Sequence, residues 1–142
     1  MTITTKLLRL ALLLPLSALA ENGQLLVEVV GMRDSTGTVR AALYNEPDSF
    51  RKEERALMRV AQPAKAGSAT LIFRDVPPGR YAIVAYHDAN DDGKLNLRFG
   101  MFPVEGYALS NNPKVVGPPR FSDSAFDFTG KETAPLPLNL AY

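Results

Sequence analysis

The sequence contains no cysteine, no tryptophan and only one histidine among its 142 residues. The missing cysteines exclude a disulfide scaffold, a thiolate zinc site and a cysteine nucleophile. A single histidine excludes a metal centre built from several imidazoles. An excess of positive charge is also missing, because 16 basic residues stand against 15 acidic ones. This balance excludes a basic nucleic-acid-binding protein.

The one long apolar stretch lies at the N-terminus. Residues 1–20 combine a basic start at Lys6 and Arg9, an apolar run and a final Ala-Leu-Ala. This layout is typical of a cleaved signal peptide, and the run is shorter than the roughly 20 residues of a membrane-spanning helix. Loss of the two basic residues gives the expected mature domain, residues 21–142, a net charge of −1 and no stable membrane anchor. We expect a periplasmic or secreted protein that is stable without disulfides.

The mature chain consists of short apolar or alternating segments separated by Gly and Pro turns. The predicted strands are residues 24–32, 38–45, 57–63, 68–76, 80–88, 121–128 and 135–142. A turn ending in Gly37 predicts a β-hairpin between the first two, and Pro47 is suited to start one short helix. About seven strands with at most one short helix indicate an all-β fold, a single β-sandwich. A small barrel is the alternative architecture.

Residues 80–88 form the clearest predicted strand. Both of its alternating faces are apolar in the middle, which favours a central position in a sheet. His87 belongs to the face that starts with Tyr81. A long irregular excursion follows at residues 89–120, and its apolar content argues against disorder. Ordered loops of this length are usually functional.

The stretch 88–96 has the spacing of the front half of an EF-hand calcium loop. Its expected calcium ligands are Asp88, Asn90, Asp92, the backbone carbonyl of Lys94, and Asn96. Phe99 stands where the bidentate glutamate belongs, and Glu105 is the nearest later carboxylate. Asn, Asp and Gly also make good turns because they tolerate positive φ. A calcium site and an internally hydrogen-bonded turn therefore both stay open.

A second group of residues is a candidate site for a ligand rather than for a metal. Its members are His87, Glu105, Tyr107, Ser110 and Asn111. Aromatic and amide side chains are typical of a ligand rim, but they also pin loops onto a sandwich. Neighbouring residues of a strand face opposite sides, so a His87–Asp88 pair is not expected and a structural His87 is the alternative. No serine lies in a nucleophile elbow, so no catalytic residue is predicted.

The residues that carry a family resemblance lie in three ordered motifs, FRDVPPGRYAIVAYHDANDDGKLN, GMFPVEGYALSNN and GPPRFSDSAF. Together they resemble the bacterial exported family called domain of unknown function 2141. The resemblance implies a signal peptide and a compact β-sandwich, similar in style to immunoglobulin-like, transthyretin-like and carboxypeptidase-regulatory-like modules. It implies no known activity. The residues of this chain that match the family motifs are His87, Asp88, Asn90, Asp92, Gly93, Glu105, Gly106, Tyr107, Ser110 and Asn111. Asn96 stands where Asp is usual, which weakens a cation site by one charge.

Three functions stay open at this point. The first is a non-enzymatic exported module for an unknown small ligand or protein, with calcium as the one expected cofactor. The second is a small periplasmic hydrolase or isomerase that uses His87. The third is a protein-interaction module that pairs through the edge strand 135–142. No nucleic-acid partner is expected.

Overall fold

Ten strands and two short helical segments make up the part of the chain that the computed structural model describes, residues 19–142. The strands are β1 (Gly23–Met32), β2 (Thr38–Tyr44), β3 (Met58–Pro63), β4 (Gly67–Val76), β5 (Gly79–Asp88), β6 (Leu97–Arg98), β7 (Phe102–Pro103), β8 (Tyr107–Leu109), β9 (Phe126–Phe128) and β10 (Leu136–Asn139). A 3₁₀ turn (Glu53–Arg55) and the helix α1 (Phe121–Ser124) complete the list. The predicted signal peptide lies almost wholly outside the described residues, and no helix within them is long and apolar enough to span a membrane.

Two sheets stack to form the predicted sandwich. Sheet I has the strand order β10-β1-β4, and sheet II has the order β3-β2-β5-β8, with β9 paired to the start of β5. The core lies between the sheets, where Val27, Leu71 and Ile83 have no exposed surface. Burial of each such side chain stabilises the fold by roughly 1.5–3 kcal/mol. The all-β prediction is confirmed.

The predicted β-hairpin between the first two strands is wrong. β1 pairs with β4 and β10 in sheet I, whereas β2 pairs with β3 and β5 in sheet II. The 33–37 connection therefore crosses from one sheet to the other. A period-two pattern shows which side chains face the core, but it is the same for hairpin partners and for strands of facing sheets. The helix expected from Pro47 shrinks to turns and the single 3₁₀ segment.

β5 is the central strand, as predicted, because β2, β8 and β9 all pair with it. Its inner face joins the core through Tyr81, Ile83 and Ala85. Its outer face joins a second apolar cluster, in which Ala82 and Val84 pack with Tyr44, Phe50 and Leu109. Sheet II is therefore apolar on both faces, and its outer face needs a cover. The excursion after β5 supplies part of that cover.

The predicted edge strand is confirmed as an edge, and its outer side is already occupied. β10 runs parallel to β1 at the border of sheet I. On its other side the Asn112 side-chain amide donates to the carbonyl of Pro137 and accepts from the N–H of Asn139. A side-chain amide thus takes the hydrogen-bonding place of a neighbouring strand. This capping reduces the capacity of β10 to pair with another chain.

Candidate functional site

Asp88 is the fully buried end of β5 and the anchor of the loop that follows. Its carboxylate accepts a hydrogen bond from Arg40 Nε at 2.7 Å and from the backbone N–H groups of Asp92 and Gly93 at 3.1 and 2.9 Å. The hydrogen bond to Asp88 raises the pKa of Arg40. Both oxygens of the Asp88 carboxylate therefore accept hydrogen bonds, and the Arg40 guanidinium is the positive charge that pairs with it. Asp88 closes the loop back onto the sheet.

The rest of the 88–96 loop is hydrogen-bonded to itself. Asp92 accepts from the backbone N–H of Lys94 at 3.1 Å and from the Asn96 side chain at 2.7 Å, and the latter bond lowers the pKa of Asp92. Asn90 donates to Asn96, and its own oxygen accepts from the N–H of Asp92. Within residues 19–142, no three His, Cys, Asp or Glu side chains converge as a metal site. These contacts favour the internally bonded turn, and the calcium loop stays a prediction.

His87 is buried, with 2% of its surface exposed. Its Nε2 lies 2.7 Å from the carbonyl oxygen of Thr36, and its Nδ1 lies 2.9 Å from the hydroxyl of Tyr142. A carbonyl only accepts, so we assign the proton to Nε2, which leaves Nδ1 to accept from the tyrosine. The Tyr142 ring also lies under the Arg33 guanidinium at 3.9 Å. His87 thus ties the 33–37 crossover and the chain end to β5, and neither ring nitrogen is free.

The polar candidates of the 105–111 segment also make internal bonds. Glu105 accepts from the backbone N–H of Asn96 and so closes the base of the β6–β7 hairpin. The Ser110 hydroxyl accepts from the N–H of Ile83, and Asn111 donates to the carbonyl of Ala125. These bonds hold the excursion and the α1 region against β5. Each of these side chains forms a hydrogen bond with a backbone group of another segment.

A cleft with a volume of about 860 Å³ lies on the outer face of sheet II. Its floor consists of alternate residues of three neighbouring strands, Ala42, Tyr44, Val84, Tyr86, Tyr107 and Leu109. Residues 94–103, 115–119 and 51–54 contribute its walls. The excursion spans the outer face without filling the space beneath it. An apolar floor under a long loop is a common form of ligand site.

Two tyrosines give the cleft a polar component. The Tyr86 hydroxyl lies 3.0 Å from a Glu53 carboxylate oxygen and 3.2 Å from the carbonyl oxygen of Gly93. Tyr44, which is only 1% exposed as a residue, also lines the cleft. Burial, reinforced by the charge of Glu53, raises the pKa of both phenols. Both therefore stay protonated and can donate a hydrogen bond at any ordinary pH.

Comparison with known families gives one match. The family described as "Uncharacterized protein conserved in bacteria (DUF2141)" matches residues 27–135. The chain belongs to this family. The resemblance predicted from the three motifs is therefore confirmed, and the family region contains both the 88–96 loop and the strands that floor the cleft. No curated protein matches, and no solved structure matches.

Few of the predicted site residues line the cleft. Of the five ligand-binding candidates, Tyr107 lines the cleft; of the calcium-loop residues, Lys94 does so. Sequence reasoning missed Tyr44, Val84 and Tyr86, because an apolar outer face of a strand looks like another core face. One signal was present: the neighbouring strands β2 and β5 each carry a tyrosine on the outer face, Tyr44 and Tyr86, next to an excursion long enough to cover them.

Proposed function

We propose that the chain is a non-enzymatic, exported module that binds a small molecule with an apolar body and one hydrogen-bonding group. The observation that carries this proposal is the cleft on sheet II. Its volume of about 860 Å³ falls inside the range of roughly 300–1,000 Å³ that is usual for small-molecule sites. Its floor includes five members of the second apolar cluster, Ala42, Tyr44, Val84, Tyr107 and Leu109.

The lining of the cleft supports a ligand with little net charge. Arg51 and Lys94 balance Glu53 and Glu54 around its rim. The Tyr44 side chain supports the second feature of the ligand. It lines the cleft, and its protonated hydroxyl can donate a hydrogen bond to a polar group of the ligand. We therefore place the polar group of the ligand against Tyr44.

A cleft-filling substitution tests this function. The probe is N-phenyl-1-naphthylamine, an uncharged aromatic dye whose fluorescence rises when it leaves water. We expect the wild type to bind it, and Val84→Trp to weaken binding at least about tenfold because the indole occupies the floor. Fluorescence titration gives the Kd of each protein.

The matched control is Ile72→Trp, a similar substitution at a half-buried, β-branched position of β4 in sheet I. It adds the same indole far from the cleft, so dye binding should be unchanged. Melting temperatures of both variants show whether each is folded. A folded Val84→Trp protein that binds the dye as tightly as the wild type would contradict the proposal, as would a wild type that does not bind it.

Calcium is a separate part of the predicted function, and the cleft does not depend on it. The Asp88 carboxylate is already paired with Arg40, so we expect the same melting temperature in millimolar calcium and in excess chelator. Differential scanning calorimetry makes the comparison. An ion that binds only the folded chain must raise the melting temperature by mass action. A clear rise in calcium that is lost in Asp92→Asn would establish the calcium loop instead.

The two alternative functions receive less support from the geometry. A hydrolase or isomerase that uses His87 needs an accessible imidazole nitrogen. Both nitrogens of His87 are engaged, by Thr36 and Tyr142, in a nearly closed environment. An interaction module that uses the last strand needs an open edge. The edge of β10 is capped by Asn112.

A further inference from the structure

The β6–β7 hairpin presents an apolar surface to solvent. Five of its residues, or of those next to it, are strongly exposed: Leu97 (45%), Phe99 (84%), Met101 (68%), Phe102 (60%) and Val104 (52%). Soluble monomers rarely concentrate large apolar side chains in this way unless the patch binds something. The hairpin stands apart from the core, because β6 and β7 pair only with each other. Its apolar residues therefore do not serve the packing of the sandwich.

The turn of this hairpin is made by an unfavourable residue. Phe99 has a φ of 55° and Gly100 a φ of 67°, and the N–H of Met101 bonds to the carbonyl of Arg98 at 3.2 Å. This is the pattern of a type I′ turn, which favours Asn-Gly. A left-handed backbone costs a phenylalanine about 1–2 kcal/mol relative to glycine. A phenylalanine at position 99 therefore destabilises the turn and exposes apolar surface to water. Neither the stability of the hairpin nor the packing of the core explains why a phenylalanine is present there.

Charge distinguishes the segment that carries this tip from the rest of the molecule. Residues 94–119 contain three basic residues, Lys94, Arg98 and Lys114, and one acidic residue, Glu105. All three cations are exposed, and none forms an ion pair within the described part of the chain. The remainder of residues 21–142 has eleven basic and fourteen acidic residues. The apolar tip therefore lies on the basic segment of an acidic domain.

We propose that the β6–β7 hairpin docks the protein on an anionic membrane surface. Phe99, Met101 and Phe102 enter the headgroup region, and Arg98 and Lys114 lie against the lipid phosphates. Apolar side chains flanked by cations are what an anionic bilayer interface attracts. Arg98 lines one surface with Phe99 and Phe102, so a cation lies beside the apolar tip, where it can contact an anionic lipid headgroup. Met101 and Phe102 also line the cleft wall, but the docking does not require the proposed ligand of the cleft.

Sedimentation with lipid vesicles tests the docking. The vesicles contain phosphatidylcholine, either alone or mixed with phosphatidylglycerol, which is anionic. We expect the wild type to bind the anionic vesicles more tightly, and Phe99→Ser/Met101→Ser to reduce that binding at least about tenfold. Arg98→Gln/Lys114→Gln should also reduce it about tenfold and remove most of its salt dependence. All variants keep the same N-terminal segment, so that segment cannot explain a difference between them.

Matched controls separate the hairpin from general surface effects. Leu57→Ser removes an apolar residue of 47% exposure outside the hairpin, and Arg74→Gln/Lys131→Gln removes two exposed charges outside residues 94–119. Both should bind vesicles like the wild type. Val84→Trp should do so too, which distinguishes a failure of docking from a failure of the cleft. Equal binding by wild type and Phe99→Ser/Met101→Ser, or no preference for anionic vesicles, overturns the proposal. So does a wild type that self-associates through the tip and ignores vesicles.

Discussion

Replacing Gly37 by alanine is expected to lower the free energy of unfolding by more than about 3 kcal/mol. Gly37 has a φ of 69°, and a Cβ atom at this position would overlap the backbone carbonyl oxygen of Asp88. The left-handed backbone alone costs about 1–2 kcal/mol. The overlap adds to this cost because the atom it meets is backbone and cannot rotate away. The next residue, Thr38, is paired with Asp88, so a shift of either strand breaks the ladder.

Gly67 provides the matched control for this substitution. Its φ of 93° is also left-handed, but a Cβ atom there meets no described atom within 4 Å. Gly67→Ala should therefore cost only the conformational penalty of about 1–2 kcal/mol. Denaturant titration of both variants gives the two free energies of unfolding. Equal losses would show that the contact with Asp88 contributes nothing and that backbone conformation explains both effects.

Gly37 also illustrates what the sequence could predict and what it could not. A glycine at the end of a polar turn correctly marks a connection between two strands. The pattern does not show whether the connection stays within one sheet or crosses to another. Here it crosses, and the close approach to β5 that requires glycine is a consequence of that crossing. Contacts between segments that are distant in the chain decide whether the connection crosses between the sheets.

The two-faced pattern of β5 was the most informative part of the sequence. Alternation in residues 80–88 correctly predicted a central strand with apolar residues on both sides. It did not show that the outer face would be left partly open. Val84 and Ile83 are adjacent and similar in chemistry, yet Ile83 is in the core and Val84 lines the cleft. How closely a loop approaches a sheet depends on the whole excursion and not on its local pattern.

The sequence correctly marked the polar residues of the excursion as important, but their chemistry alone does not show whether they bind a ligand or stabilise the loop. Asp88, Ser110 and Asn111 carry groups that suit a ligand or a metal. In the structure each of them accepts from, or donates to, a neighbouring group of the protein. A long irregular loop must satisfy many backbone groups without a ladder of its own. The same side chains therefore fit either purpose, and only their surroundings distinguish the two.

Asp88→Ala is expected to cost about 2–3 kcal/mol of stability, less than a fully buried ion pair, because the Arg40 side chain is 29% exposed and water can solvate part of its charge. The substitution leaves the Arg40 guanidinium without its 2.7 Å partner and the N–H groups of Asp92 and Gly93 without acceptors. The matched control is Asp127→Ala, which breaks the exposed pair with Arg80 and should cost less than about 1 kcal/mol. Denaturant titration measures both losses.

The Asp88 variant also connects the loop to the cleft. The carbonyl of Gly93 lies beside the Tyr86 hydroxyl on the cleft floor, and Lys94 contributes to the wall. When Gly93 loses its bond to Asp88, both groups lose their position, so the naphthylamine dye should bind more weakly to a folded Asp88→Ala protein. If Arg40 is the partner of Asp88, the Asp88→Ala substitution lowers the free energy of unfolding equally in calcium and in chelator. A loss that is large only in calcium would show that the ion is the partner of Asp88. A loss no greater than that of Asp127→Ala would contradict the role assigned to the Arg40–Asp88 pair.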